Sequence, residues 1–112
     1  MAFSEHLAER VRQRLRKANI TDEKRMMGGL IFMVNDKMCV GVDMDKTTGN
    51  DRLMVRVGKA SHDQLVFQHG SREMDFTGRV MRGFLFVGPE GFDSEEDLDF
   101  WIEKALEFNA LL

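Results

Sequence analysis

The sequence predicts an α+β domain, an antiparallel sheet of about four to five strands with flanking helices, in the order α-β-β-β-α-β(β)-α. Three observations carry this expectation. Segments near both ends place apolar side chains at helical spacing. Residues 24–57 hold short apolar or alternating runs separated by turn residues. These strand-like runs follow one another as a meander, with helices on either side of it in the chain.

The first helix is expected over residues 4–18. Ser4 suits the N-cap, because its hydroxyl can accept from an unpaired first-turn amide, and Phe3 suits a staple. Phe3, Leu7, Val11 and Leu15 form an i, i+4 stripe with Ala8 and Ala18 beside it, and Asn19 suits a left-handed C-cap. Residues 24–34 read as a strand interrupted by Gly28-Gly29, where a bulge or a close backbone approach is expected. Asn35-Asp36 is turn chemistry, and residues 37–44 return as a second strand. A polar loop fills 45–51. Residues 52–57 form a third strand, with Leu53, Val55 and Val57 on one side and Arg52, Met54 and Arg56 on the other.

Ser61-His62-Asp63-Gln64 has capping-box spacing, so a helix of about two turns should open there and end near His69-Gly70. Residues 71–78 read as a loop with a Thr77-Gly78 turn. Residues 79–87 form a strand, and Gly88-Pro89-Glu90-Gly91 stops it. Asp93 or Ser94 caps the last helix, where Glu95, Glu96 and Asp97 meet the favourable end of the helix dipole. Leu98, Trp101, Ile102, Ala105 and Leu106 give that helix an apolar face, with Trp101 at its centre.

The chain has 112 residues, 43% apolar and 31% charged, with one proline. That is one domain over residues 1–112, with a composition that excludes disorder and low-complexity sequence. The single cysteine, Cys39, excludes an intrachain disulfide framework and a cysteine-built zinc site, and points to a reducing compartment. No apolar run approaches the ~18 residues of a membrane span, and residues 1–6 show no signal-peptide pattern. A cytoplasmic protein without membrane contact is expected.

The net charge of −3 is unevenly spread. Residues 1–82 carry 15 Lys+Arg against 11 Asp+Glu; residues 83–112 carry one lysine against eight acids. The run Arg10, Arg12, Arg14, Arg16 and Lys17 is compatible with a nucleic-acid patch, a partner face, self-association of opposite charges as a homodimer, or solvated helix faces.

No constellation of chemistry-bearing residues stands out. His6, His62 and His69 sit on different segments or turns and read as surface histidines; no metal site or cofactor is expected. Cys39 lies mid-strand and reads as a small hydrophobe. The acids at 93–99 read as capping and solvation, and Asp75 as a turn cap or a partner of Arg72 or Arg79. The glycine pairs lack the phosphate-loop pattern. Arg52 and Arg56, or Arg79 and Arg82 with the following Phe84 and Phe86, resemble a basic-aromatic platform, but the overall acidity argues against specific nucleic-acid binding. Of the nine methionines, Met26, Met27, Met33, Met38, Met44 and Met54 fall in the sheet, as core filling or as an adaptable partner surface.

Three segments carry a resemblance. Arg25-Met26-Met27-Gly28-Gly29-Leu30-Ile31-Phe32 resembles the opening motif of the TfoX/Sxy N-terminal domain family, usually Met-Phe-Gly-Gly before an apolar strand. Leu53-Met54-Val55-Arg56-Val57-Gly58 resembles its second signature. Residues 74–87, Met-Asp-Phe-Thr-Gly-Arg-Val-Met-Arg-Gly-Phe-Leu-Phe-Val, resemble its third. The likeness covers about residues 5–110; Met27 replaces the usual Phe, Val80 a Pro and Arg82 a Lys. It implies a curved antiparallel sheet with flanking helices. It also implies a link to competence regulation in bacteria, where longer family members act with a transcription activator of the cyclic-AMP receptor type. Those members carry a second, C-terminal domain; this sequence reads as the standalone first domain. The motifs bring no catalytic residues, and Gly28, Gly29, Gly78 and Gly83 read as backbone requirements.

The resulting expectation is a non-enzymatic regulatory or protein-interaction module, with Arg52, Arg56, Asp75, Arg79 and Arg82 as candidate interaction residues and a protein as partner. The rival expectation is an enzyme or small-ligand protein with a pocket between sheet and helices, where Asp75, Arg56 and Arg79 converge.

Overall fold

A computed structural model describes residues 3–18, 20–26, 28–76 and 78–112, with Thr21 and Phe76 described by their backbone alone. Asn19, Met27 and Thr77, singled out above, lie outside the described residues. The fold is α+β, as expected, with six antiparallel strands and four helices among the described residues.

Helix α1 (Glu5–Arg14) starts as the sequence prescribes. Ser4 Oγ accepts from the Leu7 amide at 3.2 Å, and Phe3, Leu7, Val11 and Leu15 are all buried. The helix is shorter than the expected 4–18. The Leu15 amide is shared between the Val11 and Arg12 carbonyls, and the chain then tightens through an Ala18-to-Leu15 turn. Such tightening lets the chain leave the helix axis and enter the sheet at Ile20.

The interrupted strand expected at 24–34 is in fact a hairpin, β1 (Ile20–Met26) and β2 (Gly29–Val34), with Met26 paired to Gly29. Gly28 takes φ +78° at the reversal, a conformation only glycine adopts without steric cost. β1 was not legible as a strand because it is an edge: Asp22, Glu23, Lys24 and Arg25 are the charges that protect an unpaired strand edge. Asn35 and Asp36 both take positive φ in the two-residue turn to β3 (Lys37–Met44), the conformation that matches strand twist in tight hairpins. β4 (Asp51–Arg56) completes the meander.

Helix α2 (Lys59–Leu65) begins two residues before the expected capping box, after Gly58, so Ser61 lies inside the helix and caps nothing. The start is set by a close crossing of β4 and β6: the Val57 and Gly58 amides both donate to the Gly83 carbonyl, at 2.8 and 3.0 Å. Gly83 takes φ +93° there, a conformation that favours glycine, and a Cβ on it would crowd the Lys59 nitrogen at 3.2 Å. This start turns His62 inward. It is fully buried, contrary to the surface position expected for it; its Nδ1 accepts from the Gly83 amide at 3.0 Å and its Nε2 lies 3.3 Å from Glu73 Oε2.

The segment expected as a loop at 71–78 forms β5 (Ser71–Phe76), paired with β6 (Arg79–Val87). Because β6 also pairs with β4, the sheet order is β1-β2-β3-β4-β6-β5. After Gly88 a four-residue helix α3 (Pro89–Phe92) precedes α4 (Glu95–Asn109). Ser94, not Asp93, caps α4, accepting from the Asp97 amide at 3.1 Å.

All the helical core residues join one cluster with Leu30, Phe32, Val42, Leu53, Val55 and Leu85. The opposite sheet face has a separate small cluster, Ile31, Met54, Met74 and Phe86, to which no helix contributes. Trp101, only 2% exposed, anchors α4 and donates from Nε1 to the Gly91 carbonyl of α3 at 3.0 Å. Asn109 ties the far end of α4 to the β2–β3 hairpin through the Val34 carbonyl and the Asn35 side chain.

The charge asymmetry is largely resolved within the chain. Arg10 reaches Glu95 at 3.0 Å, and Arg14 bonds Glu95 and, at 2.6 Å, Asp99. Arg12 makes two bonds of 2.8 Å to Glu23 and one of 2.6 Å to Glu9. Three arginines of the basic run thus face α4 and β1.

Two outcomes follow for stability. Trp101→Ala removes a buried aromatic and strands the Gly91 carbonyl, so it should cost about 3–5 kcal/mol in denaturant melts, while Glu96→Ala, Glu103→Ala and Glu107→Ala on the wet face stay within about 0.5 kcal/mol of the parent. The Arg14 guanidinium, with Arg10, holds the Glu95 carboxyl below its ordinary 4.5. A lowered folded-state value stabilises above the ordinary value and is lost as pH falls through the folded one. Glu95→Gln should therefore lower the urea midpoint at neutral pH and coincide with the parent once the medium is acid enough to protonate Glu95.

Candidate functional site

The helix-free face carries a hollow of about 360 Å³. Its lining includes Met26 of β1, Gly41 of β3, Arg52 and Met54 of β4, and Asp75 of β5. Those strands span the whole sheet, which if flat would place its edges roughly 24 Å apart at ~4.8 Å per strand. One hollow of this size can touch both edges only because the sheet curls toward its uncovered side.

The centre of that face is a row across the sheet. Ile31 pairs with Gly41, Gly41 with Met54, Met54 with Phe86, and Phe86 with Arg72. A Cβ on Gly41 would meet Ile31 Cδ1 at 2.7 Å and Met54 Cε at 3.1 Å. The absent side chain lets these two close over the strand and form a floor. Gly29 has a different reason: a Cβ there would lie 2.3 Å from the Val42 carbonyl oxygen. This is the close backbone approach expected at the Gly28-Gly29 pair.

Beside the floor stands an ion pair. Arg52 donates to both Asp43 oxygens, at 2.9 and 2.8 Å, and its guanidinium carbon lies 3.6 Å from the Phe86 ring centroid. Both side chains are less than one-fifth exposed. The Asp43 carboxylate keeps the Arg52 guanidinium above its ordinary value. Pairs this well shielded are held by directed hydrogen bonds, and removing one partner leaves an uncompensated charge. Arg72 bonds Asp45 at 2.8 Å; the Thr47 amide, then Arg72 and Arg52, hold the Asp45 carboxyl below its usual range.

The five candidate interaction residues do not gather at one point. Arg52 and Asp75 line the hollow. Arg56 lies over Phe84 and Phe108, at 5.4 and 5.6 Å, and reaches the Met38 carbonyl at 3.5 Å. Arg79 is exposed at the start of β6, and Arg82 pairs with Asp63 of α2 at 3.0 Å. The pocket expected between sheet and helices, with Asp75, Arg56 and Arg79 converging, is therefore not the arrangement found: the hollow is on the opposite face and only Asp75 belongs to it. Asp43, Gly41 and Met44 were missed as lining residues. The alternation of Arg52, Met54 and Arg56 already marked the second face, but curvature sets which of its residues meet. Gly78 takes φ +81° in the β5–β6 turn.

A second depression, about 410 Å³, runs between α2 and α4, lined by Leu65, Gln68, Phe100, Lys104, Phe108 and Leu111. Phe67, next to it in the chain, is 86% exposed, and Leu111 is 81% exposed. Among the described residues no three His, Cys, Asp or Glu side chains gather as a metal site, and no helix is long and apolar enough to cross a membrane.

The TfoX N-terminal domain matches residues 13–109 of the chain. No curated protein and no solved structure shows detectable similarity.

Cys39 is the extra residue of β3 at the register shift opposite Phe32 and Met33, and it is buried among the helix-side core. Burial pushes its thiol up to about 12, against a small opposing pull from Arg56. Thiolate is the reactive form, so Cys39 should resist iodoacetamide in the folded protein at neutral pH and react fully once urea unfolds it, as followed by intact mass.

Proposed function

Because the chain belongs to the TfoX N-terminal domain family, we propose that it is a non-enzymatic regulatory module that acts by binding another protein, in the setting of competence and transcription control associated with that family. The observation that carries this reading is the α2–α4 depression with Phe67 standing beside it. A large aromatic left in water next to a groove of mixed polarity, where Leu65, Phe100 and Phe108 lie among Gln68 and Lys104, is an unfavourable arrangement for a lone domain, and exposed aromatic anchors are typical centres of protein interfaces. Phe100 and Phe108 supply further ring surface, and the Lys104–Glu107 pair supplies a polar edge.

The buried groups support the same reading. His62 is occupied by the Gly83 amide, and the Cys39 thiol is shielded and raised. Arg10, Arg12 and Arg14 of the basic run are engaged with acids of α4 and β1, which supports a protein rather than a nucleic acid as partner.

The test uses two purified components, this protein and a transcription activator of the cyclic-AMP receptor type. With a photo-crosslinking residue at position 67, an adduct is expected; with the same residue at position 17, in the turn after α1, none is. Phe67→Ala should cost about 2 kcal/mol of binding, the scale of an interface anchor. Equal crosslinking from both positions, or a turnover activity abolished by one polar substitution, would overturn the reading.

A further inference from the structure

The hollow on the helix-free face has a chemistry that the α2–α4 depression lacks. Four thioethers line it, from Met26, Met44, Met54 and Met74. Met54 and Met74 are buried, whereas Met26 and Met44 stand 39% and 38% exposed at the rim. Methionine side chains bend to fit a guest, and their sulfurs make favourable contacts with the edges of aromatic rings.

The polar groups narrow the guest. Arg52 offers no free charge, since Asp43 takes two of its donors and Phe86 covers its guanidinium. Lys46 reaches the hollow from the β3–β4 loop on a long flexible chain. Asp75 is short and sits on β5, where its backbone pairs with Val80; among the described residues its carboxylate has no hydrogen-bonded or ion-paired side chain, and its charge acts on Arg52. It is an exposed carboxylate at the edge of the hollow, beside an apolar floor and within the field of Arg52. The volume of about 360 Å³ falls at the lower end of the ~300–1,000 Å³ of small-molecule pockets. It is too small for a helix about 10–12 Å across.

We propose that this hollow is a binding site for a small planar heteroaromatic molecule, of about one or two rings, that carries an N–H donor. The ring lies among the four thioethers over the Ile31–Gly41–Met54 floor, and the N–H donates to Asp75. This site is separate from the α2–α4 depression, so its failure leaves the protein-binding reading standing, and the reverse.

The test is a titration of the full chain, labelled at its methionine methyl groups, followed by NMR. The probes are 2-aminoquinoline, which has ring and donor, quinoline, which lacks the donor, and decahydroquinoline, which lacks the planar ring. Saturable shifts by 2-aminoquinoline are expected at Met26, Met44, Met54 and Met74. Met38 and Met81, which pack on the same face without lining the hollow, should stay unmoved. Quinoline should bind more weakly. Asp75→Ala, an exposed substitution that keeps the fold, should weaken 2-aminoquinoline by about tenfold or more, as for a lost hydrogen bond to a charged group. No saturable shift at millimolar probe, equal binding by decahydroquinoline, or an unchanged affinity in Asp75→Ala would each overturn the proposal.

Discussion

A sheet whose two faces are both apolar must shield both from water, and this chain has helices for only one. That constraint organises the molecule. Helices α1 to α4 cover the face of Leu30, Leu53 and Leu85 and form the main core. The second face, with Ile31, Met54, Met74 and Phe86 buried, is shielded by curvature and by its own long side chains. Arginines lie over its rings: Arg52 and Arg72 over Phe86, at 3.6 and 5.8 Å from its centroid, and Arg56 over Phe84 at 5.4 Å. A guanidinium so placed covers apolar surface while its donors stay paired. The hollow is what remains where the curl does not close.

Turn chemistry at the hairpins follows from the same demand. A strongly coiled sheet needs tight, twist-compatible reversals, and Asn35-Asp36, Gly28 and Gly78 provide them. The Gly58–Gly83 crossing does something else. It draws α2 down onto β6 and orients His62 so that an imidazole nitrogen satisfies a backbone amide that the strand ladder leaves without a partner. Such a buried polar contact is tolerated because its donor is matched.

Much of this was legible in the sequence. The stripe Phe3, Leu7, Val11, Leu15 fixed the buried face of α1, and the set around Trp101 fixed that of α4. The alternation in residues 52–57 separated the two sheet faces correctly. What failed was local pattern where a tertiary contact overrides it. β1 reads as polar because an edge strand buries little, and β5 reads as a loop for the same reason. The capping box at Ser61 lost to the glycine crossing, and with it went the placement of His62. The hollow itself had no local signal: Met26 and Asp75 stand almost fifty residues apart in the chain, and only the curl brings them to one cavity.

The contact between α1 and α4 also bears on how the chain reaches this state. Arg10 with Glu95, and Arg14 with Asp99, join residues 85 positions apart. The β1–β4 meander closes through local connections, whereas β6 pairs with β4 across the intervening α2 and β5. Contacts between distant positions bear the largest loop-closure entropy. On a ribosome, which releases the chain from its N-terminus, the first helix can meet β1 early, through Arg12 and Glu23, but its ion pairs with α4 wait until that helix emerges. The side of α1 that turns to α4 stays uncovered until α4 has been made, and until then Arg10 and Arg14 keep that side hydrated.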